Sequence, residues 1–500
     1  MDIPKQLLKI LPSVRRPSRY IGHEWNRIIK DPKTVDLKVV LAFPDGYEIG
    51  MSYPGYQILY HILNRRRDIL CERVYAPFPD MEKALRDKQL SLFSLENFRP
   101  VQEFDVIGVT LQYELHATNL LTILNLAELP IWTNQRSDSD PLVIAGGPCA
   151  YNPEPVAPFL DAILLGDGED AVHAMMDVII DGKQKGLPKR SILQSLAQLP
   201  GLYVPQFYHP HYQNGIFSGI TADPGAPLPV VAAYITRLQD DNYPDKPLVP
   251  LSEVSHNRLQ VEIMRGCTRG CRFCQAGMIY RPLRERSPLS ISRQVAKGLD
   301  TTGYEELSLV SLSTSDYGQL TPLLEELDKV ISSRNVSLSF PSLRPDTFTQ
   351  SMAERASTAR TGGITFAPEA GTDRLRAVIN KAGDEQDLYR ACTIALNHGW
   401  RKIKLYFMIG LPTETDDDLI GICEMVRGIF RLPDSHRLQG VTLSISPFVP
   451  KAQTPFQRLP QITGEELKRK TLFLKDRLPR RKIKVDWRNP RVAEIEGILA

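Results

Sequence analysis

The chain has no run of about 18 apolar residues, so no membrane span is expected. It shows no secretory leader: Met1-Asp2-Ile3-Pro4-Lys5 leads into the short cluster Leu7-Leu8-Lys9-Ile10-Leu11, without a small-residue cleavage site, and reads as folded chain. It has little net charge, because its cations and anions nearly balance. A net charge of +3 over 500 residues says little about partners. Cysteine is scarce and odd in number, seven in all, with four scattered singly. That pattern does not build a disulfide framework and fits a cytoplasmic metal protein in a reducing compartment. Hydrophobic content of 42% and charged content of 24% describe a soluble globular protein, and the length calls for two or three domains.

The other three cysteines stand together, at C-x3-C-x2-C spacing, in Met264-Arg265-Gly266-Cys267-Thr268-Arg269-Gly270-Cys271-Arg272-Phe273-Cys274-Gln275-Ala276-Gly277. The apolar-rich run Leu259 to Met264 before them reads as a short buried strand ending in a loop. Loops after strands are where α/β barrels place their chemistry. Thiolates are the usual ligands of iron–sulfur clusters, and four irons normally take four of them. Three can hold three irons and leave the fourth open, as the open position marks catalytic zinc. Taken alone, the trio also fits a zinc site completed from elsewhere, or small buried residues.

Along the chain, residues 1–35 carry Arg15, Arg16, Arg19, Tyr20 and Trp25 and read as an arm lying over a later domain. Residues 36–205 alternate short apolar strands (36–43, 73–75, 104–110, 141–147, 162–166) with helical stretches, the pattern of a doubly wound parallel sheet. Its ligands are expected beyond the carboxyl ends of the strands. Residues 206–255, rich in Pro, Gly, His and Tyr, read as a linker with a small hairpin. Residues 256–460 give six β/α units, counting the strand before the cysteines. Residues 461–500 form a basic extension with Phe473 and Trp487 among the cations. Interleaved cations and aromatics suit RNA, and a charged helix followed by an edge strand explains them equally. The extension ends inside an amphipathic pattern, so a further C-terminal part is expected.

The cysteine block, with Phe273 before the last cysteine, resembles the cluster loop of radical S-adenosylmethionine (SAM) proteins. The wider block from Arg265 to Ser287 resembles the subgroup with an N-terminal cobalamin-binding-type domain. The resemblance implies a partial (β/α)6 barrel. It also implies a 4Fe–4S cluster on Cys267, Cys271 and Cys274, with SAM on the open iron. Reductive cleavage of SAM would then start radical chemistry on an unknown substrate. The electron would come from an external donor such as flavodoxin or ferredoxin.

The later loops carry the same likeness. Ser311 and Ser313, after strand two, stand where the superfamily contacts the amino group of SAM. Arg344, in Ser342-Leu343-Arg344 after strand three, suits bidentate carboxylate binding. Pro368-Glu369-Ala370-Gly371-Thr372-Asp373-Arg374-Leu375 resembles the P-E-[AS]-G-[ST]-x-R-L block, with Glu369 for a ribose hydroxyl and Arg374 for a carboxylate. Gly410-Leu411-Pro412-Thr413-Glu414-Thr415 resembles the G-L-P-x-E-T turn near the adenine. Lys404, alternating along strand five, is expected to point into the barrel.

Residues 36–205 resemble cobalamin-binding domains. Many of these read D-x-H-x-x-G after strand one, the histidine replacing the lower base of cobalt. Here the stretch is Asp45-Gly46-Tyr47-Glu48-Ile49-Gly50, with Tyr47 in the histidine position, so no histidine ligand comes from this loop. Gln112, Gly146 and Gly147 complete the implied cobalamin contacts. With cobalamin, the implied chemistry is methylation of the substrate or redox chemistry at the corrin. The alternatives are methylthio transfer to RNA, which usually goes with a second cysteine trio that this sequence lacks, and a non-enzymatic cobalamin or redox sensor.

Overall fold

Strand β1 (Leu37–Phe43) buries all but one of its side chains, as a strand covered on both faces must. The computed structural model describes residues 3–340, 343–357 and 363–500; Ser342 lies outside them. The chain divides into two compact units, residues 1–257 and 258–500.

In the first unit, β1, β2 (Ile69–Tyr75), β3 (Val106–Thr110), β4 (Leu142–Gly146), β5 (Ala162–Leu164) and β6 (Leu202–Tyr203) form one sheet in the order β2-β1-β3-β4-β5-β6. All neighbours are parallel except β5 and β6. The order reverses between β1 and β3, which opens a crevice at their carboxyl ends. The helix Ile3–Ile10 turns Ile3, Leu7 and Ile10 into this core, one face of a helical repeat, so the arm belongs to the unit.

Strand β2 begins earlier than its sequence suggests, because Glu72 and Arg73 are buried in it. Arg73 binds Glu24 of the arm (2.8 Å) and Glu96 (2.6 Å), and all three side chains are out of reach of solvent. Residues 206–255 do not hang free. They form the hairpin β7 (Tyr208–Gln213) and β8 (Ile216–Ala222). They are then tied back by Leu248 N to Gln57 (3.1 Å) and by Tyr243, buried against Ile58 and Ile62.

In the second unit, β9 (Leu259–Glu262) runs into a short ribbon, β10 (Met264–Arg265) antiparallel to β11 (Arg284–Glu285). Strands β12 (Glu306–Val310) and β13 (Ser337–Ser339) join β9 in a parallel sheet ordered β13-β12-β9. Strands β14 (Gly363–Glu369), β15 (Lys402–Ile409), β16 (Gly440–Pro447) and β17 (Ile483–Trp487) make a second parallel sheet. Among the described residues the two sheets do not close into a barrel. Strand β17 comes from the basic extension and is a seventh parallel strand beyond the six read from the sequence.

Period-two alternation in β15 sends Ile403, Leu405, Phe407 and Ile409 into the core. They pack against helices Glu385–Asn397 and Asp416–Phe430. Cys392 and Cys423 are wholly buried there, as core residues.

The basic extension uses its charge internally. Lys470 reaches Glu414 at 2.9 Å with both side chains almost fully buried. The Arg477 guanidinium lies over the Phe473 ring, and the Lys475 ammonium over Trp487. These contacts account structurally for the cation–aromatic interleaving.

Arg73→Met is expected to strand two buried carboxylates and cost the first unit about 3–5 kcal/mol. Hydrogen exchange of the β1–β4 amides reads this directly; unchanged protection would contradict the buried triad.

Candidate active site

The cysteine loop has almost no regular structure and is held by its ends and flanks. At its base, β10 and β11 pair, and Arg265 forks onto Glu262 with two contacts of 2.9 Å. Gly266 has φ +91°, and a Cβ there would meet the Tyr280 carbonyl oxygen at 2.6 Å, so only glycine closes this turn. Cys267, Cys271 and Cys274 are free thiols, each half-buried. Backbone amides point at two of the sulfurs: Arg269 N to Cys267 Sγ at 3.4 Å and Gly277 N to Cys274 Sγ at 3.3 Å. Such donors favour the thiolate that a metal needs. Burial, opposing them, pushes the Cys271 and Cys274 thiols up.

Thiolates are the usual ligands of iron–sulfur clusters. The donor set here, three cysteines of which Cys267 and Cys274 are met by backbone amides, fits that group.

The segment after helix Asp373–Val378 clasps the same loop. Arg272 N donates to Ile379 O (2.9 Å), the Arg272 guanidinium to Ala377 O (3.2 Å) and Val378 O (2.6 Å), and Asn380 Nδ2 to Gly270 O (2.8 Å). Phe273 packs with Ala370, Leu375, Leu411, Phe448 and Met408. Its role is to anchor the loop in an apolar cluster.

A chain of alternating charges links the loop to the strand ends around it. Arg269 forks onto Asp316, which also accepts from Ser313 Oγ (2.7 Å). Arg269 lies 3.8 Å from Asp346, which Arg344 holds from its other side at 3.0 and 3.2 Å. Burial works against the Asp316 carboxylate, but Arg269 and Ser313 outweigh it and hold it below the usual range. Ser311 pairs with Thr314 (2.9 Å).

Several side chains expected to meet SAM have partners inside the chain. Glu369, at φ +68°, pairs with Lys381 at 3.3 Å. Burial raises its carboxyl above the ordinary value, with Lys381 pulling the other way. Arg374 is spent on Asp418 and on the Thr413 carbonyl (2.8 Å). Arg344 holds Asp346. In the Gly410-Leu411-Pro412 turn, Gly410 N donates to Glu414 (2.9 Å), which Lys470 pins from below, and Leu411 is buried. Lys381, Asn380 and Asp316 were not singled out in the sequence; their signal was position, in loops following strands four and two.

In the first unit the crevice between β1 and β3 receives Asp45 and Gln112, together with His116, which the sequence reading passed over. Gln112 N donates to His116 Nδ1 (3.2 Å), which leaves the Nε2 proton facing Asp45, 3.6 Å away. Burial disfavours the Asp45 carboxylate, but His116 and the Gly46 amide hold it low. Gly147 has φ +109° and stands so close to Leu111 O that a Cβ would meet it at 2.5 Å; Gly146 precedes it on β4.

Two other residues of this unit have packing partners inside the chain. Tyr47 is buried edge-on against Tyr75 and accepts from Leu251 N (3.3 Å). Gly50 is needed for packing, since a Cβ would meet the Tyr75 ring at 2.3 Å.

Two family models match this chain: "Radical SAM superfamily" over residues 261–426 and "Radical SAM proteins, N-terminal" over residues 55–205. The chain belongs to the radical SAM superfamily. It is an enzyme of the kind that takes a 4Fe–4S cluster and SAM as cofactors. Its relatives include an uncharacterized protein, MJ0966, of Methanocaldococcus jannaschii, 26% identical over 92% of this chain and 88% of that one. A tRNA-2-methylthio-N(6)-dimethylallyladenosine synthase of Pelotomaculum thermopropionicum is 23% identical over 44% of this chain, which spans only 50% of that protein. Among solved structures, the radical SAM methyltransferase TsrM of Kitasatospora setae, with cobalamin and a [4Fe-4S] cluster bound, superposes with a TM-score of 0.56 at 13% identity. That match covers 84% of this chain and 74% of TsrM. At that identity the likeness is one of fold. No described helix is long and apolar enough to cross a membrane.

Asp316→Asn removes the charge that holds Arg269. Amide exchange over residues 266–274 is expected to rise about tenfold, the effect of losing roughly 1.4 kcal/mol. Unchanged exchange would show that the Arg269 fork does not support the loop.

Proposed function

We propose that this chain cleaves SAM reductively and uses the resulting radical on a substrate that its second unit binds. The observation that carries the reading is the cysteine loop itself: three thiols at C-x3-C-x2-C spacing, two of them met by backbone amides. Cys267, Cys271 and Cys274 would hold the cluster. Bound there, the cluster and SAM supply an electron and a sulfonium C–S bond, whose scission yields methionine and a 5'-deoxyadenosyl radical. The chain's own groups do the positioning. Arg269 and Arg344, each tied to an acid, keep the loop and the strand ends at fixed separation. Glu369 and Lys381, a pair beside Cys271, offer both an acceptor and a donor to a polar ligand. The Gly410-Leu411-Pro412 turn presents an apolar wall. The electron would come from an external donor such as flavodoxin or ferredoxin.

The first unit supports a corrinoid as second cofactor, on two observations. Its strand order reverses between β1 and β3, the strands that lead into Asp45 and Gln112. Its fold is also that of TsrM, which holds cobalamin. Bound methylcobalamin would supply a methyl group. No protein histidine would ligate its lower face from the strand-one loop, where Tyr47 is buried in the core. The methylthiotransferase reading rests on matches to part of those relatives. It lacks a second set of ligands here: of the other four cysteines, Cys71, Cys392 and Cys423 are buried in cores.

Anaerobic reconstitution with iron, sulfide, SAM and a reductant tests this. The wild type is expected to form 5'-deoxyadenosine, and Cys267→Ala, Cys271→Ala or Cys274→Ala to abolish it along with the brown absorbance. Deoxyadenosine from a cysteine variant at the wild-type rate would reject the assignment. With cobalamin added, the methylation branch predicts S-adenosylhomocysteine as well; its absence alongside a consumed substrate would reject that branch.

A further inference from the structure

The inner sheet face of the second unit is polar and carries a cation without a partner acid among the described residues. Helices cover one face of the β14–β17 sheet, through Ile403, Leu405, Phe407 and Ile409 of β15. Alternation places Lys404, Tyr406 and Met408 on the opposite face. In the neighbouring strand the residues in register are Thr442, Ser444 and Ser446. Thr365 of β14 also lies beside Lys404. A sheet face left bare of helices is normally apolar if a protein partner or a core covers it. This one carries the hydroxyl residues Thr365, Thr442, Ser444 and Ser446 around Lys404.

That ammonium is half-buried. Its recorded contact is the face of the Tyr406 ring, 4.9 Å from Nζ to centroid. Such a contact is worth about 0.5–1 kcal/mol where water still reaches it. Lys484, in register with Thr442, and Lys402 add positive charge to this face. The acid on β17, Asp486, is already taken by Lys484 at 3.0 Å. Further along, Glu369 is taken by Lys381. The face therefore has an excess of cation. At its other end, Met408 packs in the same apolar cluster as Phe273 of the cysteine loop. Met408 lies four steps along the strand from Lys404, a rise of about 13 Å.

We propose that Lys404 binds an anionic group of the substrate, a carboxylate or a phosphate, with Thr365, Thr442 and Ser444 as flanking donors. The substrate would enter with this group at Lys404 and extend along β15 toward the cysteine loop. Tyr406 holds the ammonium in place until the anion arrives, at small cost when it leaves the ring. The inference rests on the radical SAM reading for the meaning of the site, but the anion site itself is testable apart from that chemistry.

Full-length wild-type chain, labelled lightly with an amine-reactive ester and read lysine by lysine by mass spectrometry, provides the test. The arms are no addition, glutarate, inorganic pyrophosphate, and glycerol. At an anion concentration about twice its Kd, labelling of Lys404 is expected to fall about threefold, while the exposed Lys468 is unaffected and glycerol does nothing. Protection by glutarate alone assigns a carboxylate, and by pyrophosphate alone a phosphate. Equal labelling of Lys404 in all four arms would overturn the proposal. Deoxyadenosine formation by the same preparation separates the two readings. Protection without deoxyadenosine leaves the anion site standing and rejects the radical chemistry. Deoxyadenosine with an unprotected Lys404 rejects the anion site alone.

Discussion

Four hydrogen bonds run from the cysteine loop to the segment Ala377–Asn380, and the placement of the three thiols depends on them. A loop of this length without a helix or strand has no internal means of fixing three side chains against the entropy of its backbone. The Arg272 amide and guanidinium and the Gly270 carbonyl therefore borrow rigidity from a helix end. That helix, Asp373–Val378, is in turn capped by Thr372, which also bonds Asp418 of the helix Asp416–Phe430. The sulfurs are thus referred, through three steps, to the packed core of the second unit.

Charge supplies the second constraint. Arg344, Asp346, Arg269 and Asp316 alternate in sign across the ends of two strands and the cysteine loop. Each ion has an opposite neighbour, so the network holds together where burial would otherwise expel it. The same logic recurs under the Gly410-Leu411-Pro412 turn, where Glu414 bridges a backbone amide and the buried Lys470. A residue of the basic extension, far along the chain, thereby fixes the turn that follows β15. The extension is a working part of the sheet as well, since β17 hydrogen-bonds along the edge of β16.

Much of this was legible in the residues. Near-continuous apolar runs such as Leu37–Phe43 announced a buried parallel sheet, because no exposed strand keeps that composition. The cysteine spacing announced the site, because few other uses of three thiols demand it. Strand β2 was read short because Glu72 looks like a surface residue. Only its three-dimensional meeting with Ser94 and Asn97 lets it be buried, as Glu24 and Glu96 do for Arg73. Tyr47 and Gly50 pack against Tyr75: a motif position says where a residue falls in the chain and not which way its side chain turns. His116, Asn380 and Lys381 carry no local pattern. Their importance comes from contacts with residues on other elements, which spacing alone does not encode. Glu369 and Arg374 sit in the expected loops but spend their charge on Lys381 and Asp418.

The account rests on one iron being left without a protein ligand by three thiols that serve the others. Electron paramagnetic resonance of the chemically reduced, iron-reconstituted protein reads this most directly, recorded before and after SAM is added. A spectrum of a reduced 4Fe–4S cluster whose g values shift on addition of SAM is the predicted result. A protein that retains zinc and shows no such signal, or a cluster whose spectrum ignores SAM, would contradict it.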